Sequence, residues 1–248
     1  MGVEDLLSHP LLWKGQDAGL ADTPAIATGF DALDRYLPGG GWPLAGISEI
    51  FVEHYGLGEL RVLMPALAAL SQSAVESKKW IVWIAPPFVP YAPALAHHGV
   101  DLSRILLVHP RGREAWGQRQ YRGQSPFSKK KGSDPKEMDP EDTLWAVEQA
   151  IRSQSSIATL AWVKAAGVTS LRRLQLGAET HRCWTVLFRT PEAMGQNSPA
   201  ALRFSVLPGG VLPGGDTADI RVEIQKCRGR KPQSFRLSEP APASREVV

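Results

Sequence analysis

With 248 residues, 43% of them hydrophobic, and a net charge of +3 at pH 7, the chain has the composition of a soluble globular protein that can bury one large core or two small ones. So mild a charge excludes a uniformly basic nucleic-acid binder and leaves any such contact to local patches. The two cysteines, Cys183 and Cys227, stand in no CxxC or Cys/His grouping, which excludes a disulfide framework and points to a reducing cytoplasm.

The chain opens MGVEDLLSHPLLWKG, with early acids and no long apolar run, so no signal peptide is expected. No stretch approaches the roughly 20 apolar residues of a membrane span. Residues 1–27 read as a lead-in whose patch of Leu6, Leu7, Leu11, Leu12 and Trp13 either packs on the parent domain or serves as a partner-binding arm. A short helix capped by Thr28 follows, with Phe30, Leu33 and Leu37 on one face, and Pro38-Gly39-Gly40-Gly41 turns the chain out of it. From there strands and helices alternate. Strands are expected at Ile47–Glu53, Trp80–Ala85, Arg104–His109, Ile157–Val163 and Trp184–Arg189, and helices at Glu59–Leu70, Tyr91–His98, Thr143–Ser153 and Thr169–His181. Continuously apolar strands separated by helices predict a mostly parallel, twisted α/β sheet covered on both faces. Ala201–Leu207, Ile220–Lys226 and Gln233–Leu237 instead alternate apolar with polar residues, which predicts an antiparallel C-terminal extension on one edge. The resulting division is a lead-in (1–27), a main domain (28–237) interrupted by a basic, flexible insert (111–140), and a disordered tail (238–248).

The turn after the first long strand, His54-Tyr55-Gly56-Leu57-Gly58, stands where a nucleotide-binding protein places its phosphate loop. A working loop needs G-x-x-x-x-G-K-[ST], for backbone N–H groups, a lysine on the terminal phosphates and a hydroxyl for Mg²⁺. Here Glu59 follows Gly58, and the first basic residue is Arg61. A carboxylate at a helix N-terminus suits the macrodipole and repels a triphosphate. The fourth expected strand ends Trp162-Val163-Lys164, with no Asp to help hold Mg²⁺. Losing lysine, hydroxyl and carboxylate together predicts no hydrolysis, although Gly56 and Gly58 still let N–H groups converge, which leaves room for weak nucleotide binding. The lone Glu53 reads as a strand-end residue. No histidine has ligands at metal spacing, and no nucleophile motif is present, so the chain reads as no enzyme with no cofactor.

Basic residues are the better candidates for DNA or partner binding: Arg172-Arg173 on a helix, Arg203, and the segment Lys226, Arg228, Arg230 and Lys231. Solvated surface charge is the commoner outcome for such runs. The insert adds Tyr121 and Phe127 as candidate stacking rings, while Trp42, Trp80, Trp83, Trp145, Trp162 and Trp184 read as core or interface.

Laid out in this order, the chain resembles RecA with its catalytic parts replaced. Thr28-Gly29-Phe30-Asp31-Ala32-Leu33-Asp34 matches the segment before the first RecA core strand, and Glu49-Ile50-Phe51 the strand before its phosphate loop. It is more closely similar to the ImuA family, which overlaps with the cell-division inhibitor SulA. The residues that carry this are Leu37–Pro43, Gly56–Leu60, Pro86-Pro87 with Tyr91–Leu95, Leu144–Gln149, Leu171–Leu176, Ser198–Arg203 and Arg228-Gly229-Arg230. The resemblance implies a RecA-like fold and a place in the SOS response to DNA damage, supporting error-prone translesion synthesis. Implied partners are the polymerase-like ImuB and an alternative replicative-type polymerase, with RecA and DNA as further candidates. The implied location is the cytoplasm, at the nucleoid when engaged. It also implies a DNA-contacting loop at 190–203. The SulA side of the resemblance implies an alternative, binding to FtsZ, but SulA-type chains stop near the end of the central sheet and this one continues.

Overall fold

Strands that are apolar on both faces must be covered on both faces, and this requirement organises the molecule. The computed structural model describes residues 24–109, 140–209 and 220–238. The apolar patch of residues 6–13, Tyr121 and Phe127 with nearly all of the insert, and the tail beyond Ser238 lie outside them. Ala25–Ile26 (β1) leads to Asp31–Tyr36 (α1), Trp42–Pro43 (β2), Ile47–Phe51 (β3) and Met64–Ser77 (α2). Then come Trp80–Ile84 (β4), Ala92–His97 (α3), Ile105–Val108 (β5), Pro140–Arg152 (α4), Ser156–Trp162 (β6), Val168–His181 (α5) and Trp184–Arg189 (β7). Leu202–Pro208 (β8), Ile220–Cys227 (β9) and Gln233–Leu237 (β10) complete the order. β1 and β2 form a small antiparallel ladder, and the other eight strands form one sheet in the order β10-β9-β8-β3-β7-β6-β4-β5.

From β8 to β5 every neighbouring pair is parallel, and β9 and β10 add antiparallel strands at the β8 edge. The mixed α/β, mostly parallel sheet is therefore as expected, with one correction. β8 alternates in sequence but runs parallel to β3, in register Glu49 to Arg203, so the antiparallel extension starts one strand later. Its polar residues Arg203 and Ser205 are buried, because a loop rather than solvent covers that side.

Two apolar layers sandwich the sheet. Under α1, α2 and α3 lie Leu33, Leu67, Leu95, Trp83, Trp162, Trp184 and Phe188, with Trp42 stacked on Phe204 at 5.3 Å between ring centroids. Under α4 and α5 lie Val147, Ile151, Leu171 and Leu174 against Ile47, Ile84, Ala161 and Leu187. β5 is an edge strand, and its Leu106 and Leu107 remain partly exposed, unlike the covered strand its apolar sequence suggests.

Local differences have local causes. α1 begins at Asp31, and Thr28 does not cap it; the Thr28 hydroxyl accepts the Phe30 N–H at 3.0 Å in a turn before the helix, while Asp34 accepts the Thr28 N–H at 2.8 Å. The helix expected from Glu59 begins as a 3-10 turn at Arg61–Leu63 and becomes α-helical only at Met64, where Pro65 occupies a first-turn position that needs no N–H donor. The triple glycine is a turn: Gly39 and Gly40 have φ of 73° and 78°, and a Cβ on Gly41 would stand 2.0 Å from the Ile26 carbonyl oxygen. Among the described residues no helix is long and apolar enough to cross a membrane.

Candidate functional site

β3 delivers the chain to the loop at Glu53–Leu60, at the carboxyl ends of the parallel strands, where α/β sheets commonly bind ligands. Gly56 turns with φ +93° and Gly58 with φ +107°, both in the region that favours glycine. The anion inside this loop belongs to the chain. Glu59 is buried, and the Gly56 N–H donates to both of its carboxylate oxygens, at 2.8 and 3.0 Å. This corrects the expectation of a carboxylate at a helix N-terminus: Glu59 precedes the α-helical start at Met64 by five residues and folds back onto the loop. Space is closed from the other side, because a Cβ on Gly58 would lie 3.0 Å from the Ile220 side chain. Tyr55 sits beside the same carboxylate; burial raises its phenol above the ordinary range, the Lys164 charge lowers it and the Glu59 charge raises it further.

At the end of β6, Trp162 stacks on Phe188 at 4.6 Å and is buried, as is Val163. The position that could hold a metal-binding carboxylate is thus core. Among the described residues no group of three or more His, Cys, Asp or Glu is placed to hold a metal ion.

A second constellation was not anticipated. Glu49 in β3 is fully buried between two arginines: Arg189 of β7 donates Nη1–H to Oε1 at 2.6 Å, and Arg203 of β8 donates Nε–H to Oε2 at 2.8 Å. Arg203 also donates to the carbonyls of Ala193 and Met194, at 3.0 and 3.2 Å, and lies over the Phe51 ring. Arg189 donates to the Gln196 side-chain oxygen at 2.9 Å. These bonds fasten the 190–201 segment to the sheet. The cluster holds two cationic groups to one carboxylate, and Lys226 stands nearby, donating to the Ser198 carbonyl at 2.9 Å. Burial first and the Arg203 charge second lower the Lys226 ammonium from its ordinary range, with Glu49 opposing. A sequence signal existed: a Glu in an apolar strand needs an internal counter-charge, and each neighbouring apolar strand supplies an arginine.

The sequence candidates therefore separate. Arg203 is withdrawn into the protein, so a surface role for it is corrected, and Lys226 is half committed to the 190–201 segment. Arg228, Arg230 and Lys231 are exposed together at the β9–β10 turn. The Lys231 carbonyl accepts a hydrogen bond from the Tyr36 hydroxyl, which ties that turn to α1. Arg172 is exposed on α5, and Arg173 reaches Glu148 of α4 at 3.6 Å. Gly56, Gly58 and Glu59 form the loop described above, and the cationic candidates lie on other elements.

Comparison with known proteins adds the following. No protein-family model matches the chain. The chain is 28% identical over 232 aligned residues to the protein ImuA of Caulobacter vibrioides, in two strains, covering 87% of this chain and 83% of that protein. The resemblance to ImuA read from scattered islands thus extends over most of the sequence. Among solved structures, SulA from Pseudomonas aeruginosa is matched at 19% identity with a TM-score of 0.39, covering 58% of this chain and 97% of that one.

Proposed function

We propose that this chain, similar in sequence to ImuA, is a non-catalytic RecA-like accessory protein of the SOS response that supports translesion synthesis by binding an ImuB-type polymerase-like partner. The observation that carries its non-catalytic character is the Glu59 carboxylate seated on the Gly56 N–H. An internal anion in that loop competes for the donor a phosphate would use and repels the phosphate's charge. The place in damage-induced mutagenesis is supported by the ImuA similarity across 87% of the chain. In this reading an alternative replicative-type polymerase joins the same assembly, and RecA and DNA are further partners. Of the cationic candidates named from the sequence, Arg172, Arg228, Arg230 and Lys231 are exposed and available for contact.

The test is affinity recovery of the tagged full chain from damage-treated cells, with the ImuB-type protein and FtsZ quantified in the same eluate, and MgATP turnover measured on the purified protein. Recovery of the ImuB-type protein with FtsZ at background, and turnover no faster than buffer, is the expected result. Recovery of FtsZ instead would make the protein a division inhibitor. Turnover abolished by a substitution in the 54–59 loop would overturn the non-catalytic reading.

A further inference from the structure

β9 and β10 turn one face to the core and the other outward. Ile220, Val222, Ile224, Phe235 and Leu237 belong to the apolar layer or pack against it. By the two-residue period of a strand, Arg221, Glu223 and Arg236 stand on the opposite face. From Ile220 to Ser238 the chain carries six cations, Arg221, Lys226, Arg228, Arg230, Lys231 and Arg236, against the single carboxylate of Glu223. That local excess is larger than the net +3 of the whole chain.

Two pairings in this meander set like charges against each other. Arg221 of β9 is the register partner of Arg236 of β10, and Lys226 is the partner of Arg203 of β8. Like charges directly across an antiparallel pair destabilise the sheet. Glu223 lies 3.0 Å from Arg221, and among the described residues no carboxylate pairs with Arg236. A bulge at Gln225 brings Lys226 to the outer face, where Gln225 donates to Ser205 Oγ at 2.6 Å and Lys226 to the Ser198 carbonyl at 2.9 Å. At the turn, Gly229 has φ +70° and the Arg230 N–H returns to the Cys227 carbonyl, leaving Arg228, Arg230 and Lys231 exposed. Tyr36 holds that end in place, its hydroxyl on the Lys231 carbonyl and its ring edge-on to Phe235 at 5.0 Å.

The cations thus form a stripe from the Arg221–Arg236 pair past Lys226 to the turn. Arg228 lies seven residues beyond Arg221, about 23 Å of strand, close to the length of roughly seven base pairs. On that outer face neither β9 nor β10 carries an aromatic or apolar side chain. The face therefore lacks the apolar anchors around which a protein contact is built, and the rings on which single-stranded bases stack. A row of cations held side by side at a cost in stability suits a row of fixed anions.

We propose that the outer face of β9 and β10 binds the phosphate backbone of duplex DNA, with Arg221, Arg236, Lys226 and the turn cations along successive phosphates. The inference deepens the reading in which DNA is a further partner, and rests on it for the choice of DNA among polyanions. The phosphates supply the counter-charge that the two like-charge pairings lack.

The test measures fluorescence anisotropy of a short labelled duplex, and of one of its strands, with the purified full chain over a series of salt concentrations. Two double variants are compared, Arg221→Gln with Arg236→Gln and Arg228→Gln with Arg230→Gln. The control, Lys78→Gln with Arg152→Gln, removes two exposed cations from other elements. Expected for each hairpin variant is a duplex affinity at least fivefold weaker at low salt, with a salt slope shallower by about 2, and a control within twofold of wild type. Without DNA, Arg236→Gln is expected to melt roughly 1–3 °C above wild type at low salt, because an opposed charge is gone. These quantities are read on the purified chain, so they stand apart from which partner is recovered in cells. Duplex binding that neither hairpin variant weakens, or a tenfold preference for the single strand, overturns the proposal. So does a lower melting temperature for Arg236→Gln. Hairpin variants that keep their DNA affinity and lose the polymerase-like partner would make the face a protein contact and overturn it as well.

Discussion

Glu49 has no water to turn to: its two oxygens are held by Arg189 and Arg203, and the guanidinium groups in turn hold the 190–201 segment. Removing the carboxylate leaves two buried cations facing each other, the arrangement in which breaking a buried pair is most damaging. Glu49→Gln is expected to lower unfolding stability by about 3–5 kcal/mol, read as a drop in urea midpoint without a change in slope. If the cluster serves mainly to hold the segment, exchange at the Ala193 and Gln196 amides accelerates in the same variant. Cys227 gives a second residue-scale prediction. Its thiol is raised from 9.0 to about 11, mainly by burial, with Arg230 opposing. The folded state therefore keeps the thiol protonated where the unfolded chain ionises it. The associated stability is fully present below pH 9.0 and is lost as the pH rises toward about 11. Denaturation midpoints of the wild type should fall across that window, and those of Cys227→Ala should fall less.

At the scale of elements, the strand-and-helix alternation was legible because each apolar run is bounded by Gly, Pro or a charged turn. What was not legible is the direction of β8. Its sequence, LRFSVLP, alternates as a half-solvated strand would, yet Arg203 and Ser205 meet a covering loop, bonding the Ala193 and Met194 carbonyls and the Met194 sulfur. Alternation reports which residues share a face and leaves open whether solvent or protein meets it. The Glu59 carboxylate was legible as a residue and misplaced as an element, because Pro65 and the buried Met64 delay the α-helix. A test at this scale is Gly41→Ala. The added methyl would meet the Ile26 carbonyl, separating β1 from β2. Faster hydrogen exchange at Leu44, whose N–H bonds the Pro24 carbonyl, is the expected signature, with the central strands unaffected.

Across the whole molecule, β9 and β10 continue the core of the parallel strands. Ile220, Val222, Ile224 and Leu237 belong to the same apolar layer as Trp42, Leu67 and Phe204. A chain ended after Pro208 would expose that layer and leave β8 an unpaired edge on its β9 side, so it is expected to be insoluble or to lack near-UV circular dichroism. Recovery of a soluble, cooperatively unfolding fragment would show that the meander is an independent appendage. The same continuity makes Phe204→Ala costly at about 3–5 kcal/mol, since the ring stacks on Trp42 at the junction. Calorimetry should show one transition shifted downward, not two transitions moving apart.

Trp83 and Trp162 stand on neighbouring strands with ring centroids 5.7 Å apart and their planes tilted by 44°. Two indoles held so close at a fixed angle no longer absorb as separate chromophores. Their transitions couple as an exciton pair, giving a signed circular-dichroism couplet that weakens if β4 and β6 slip by one residue, so polarised light reports the register of these two strands beside the β5 edge of the sheet.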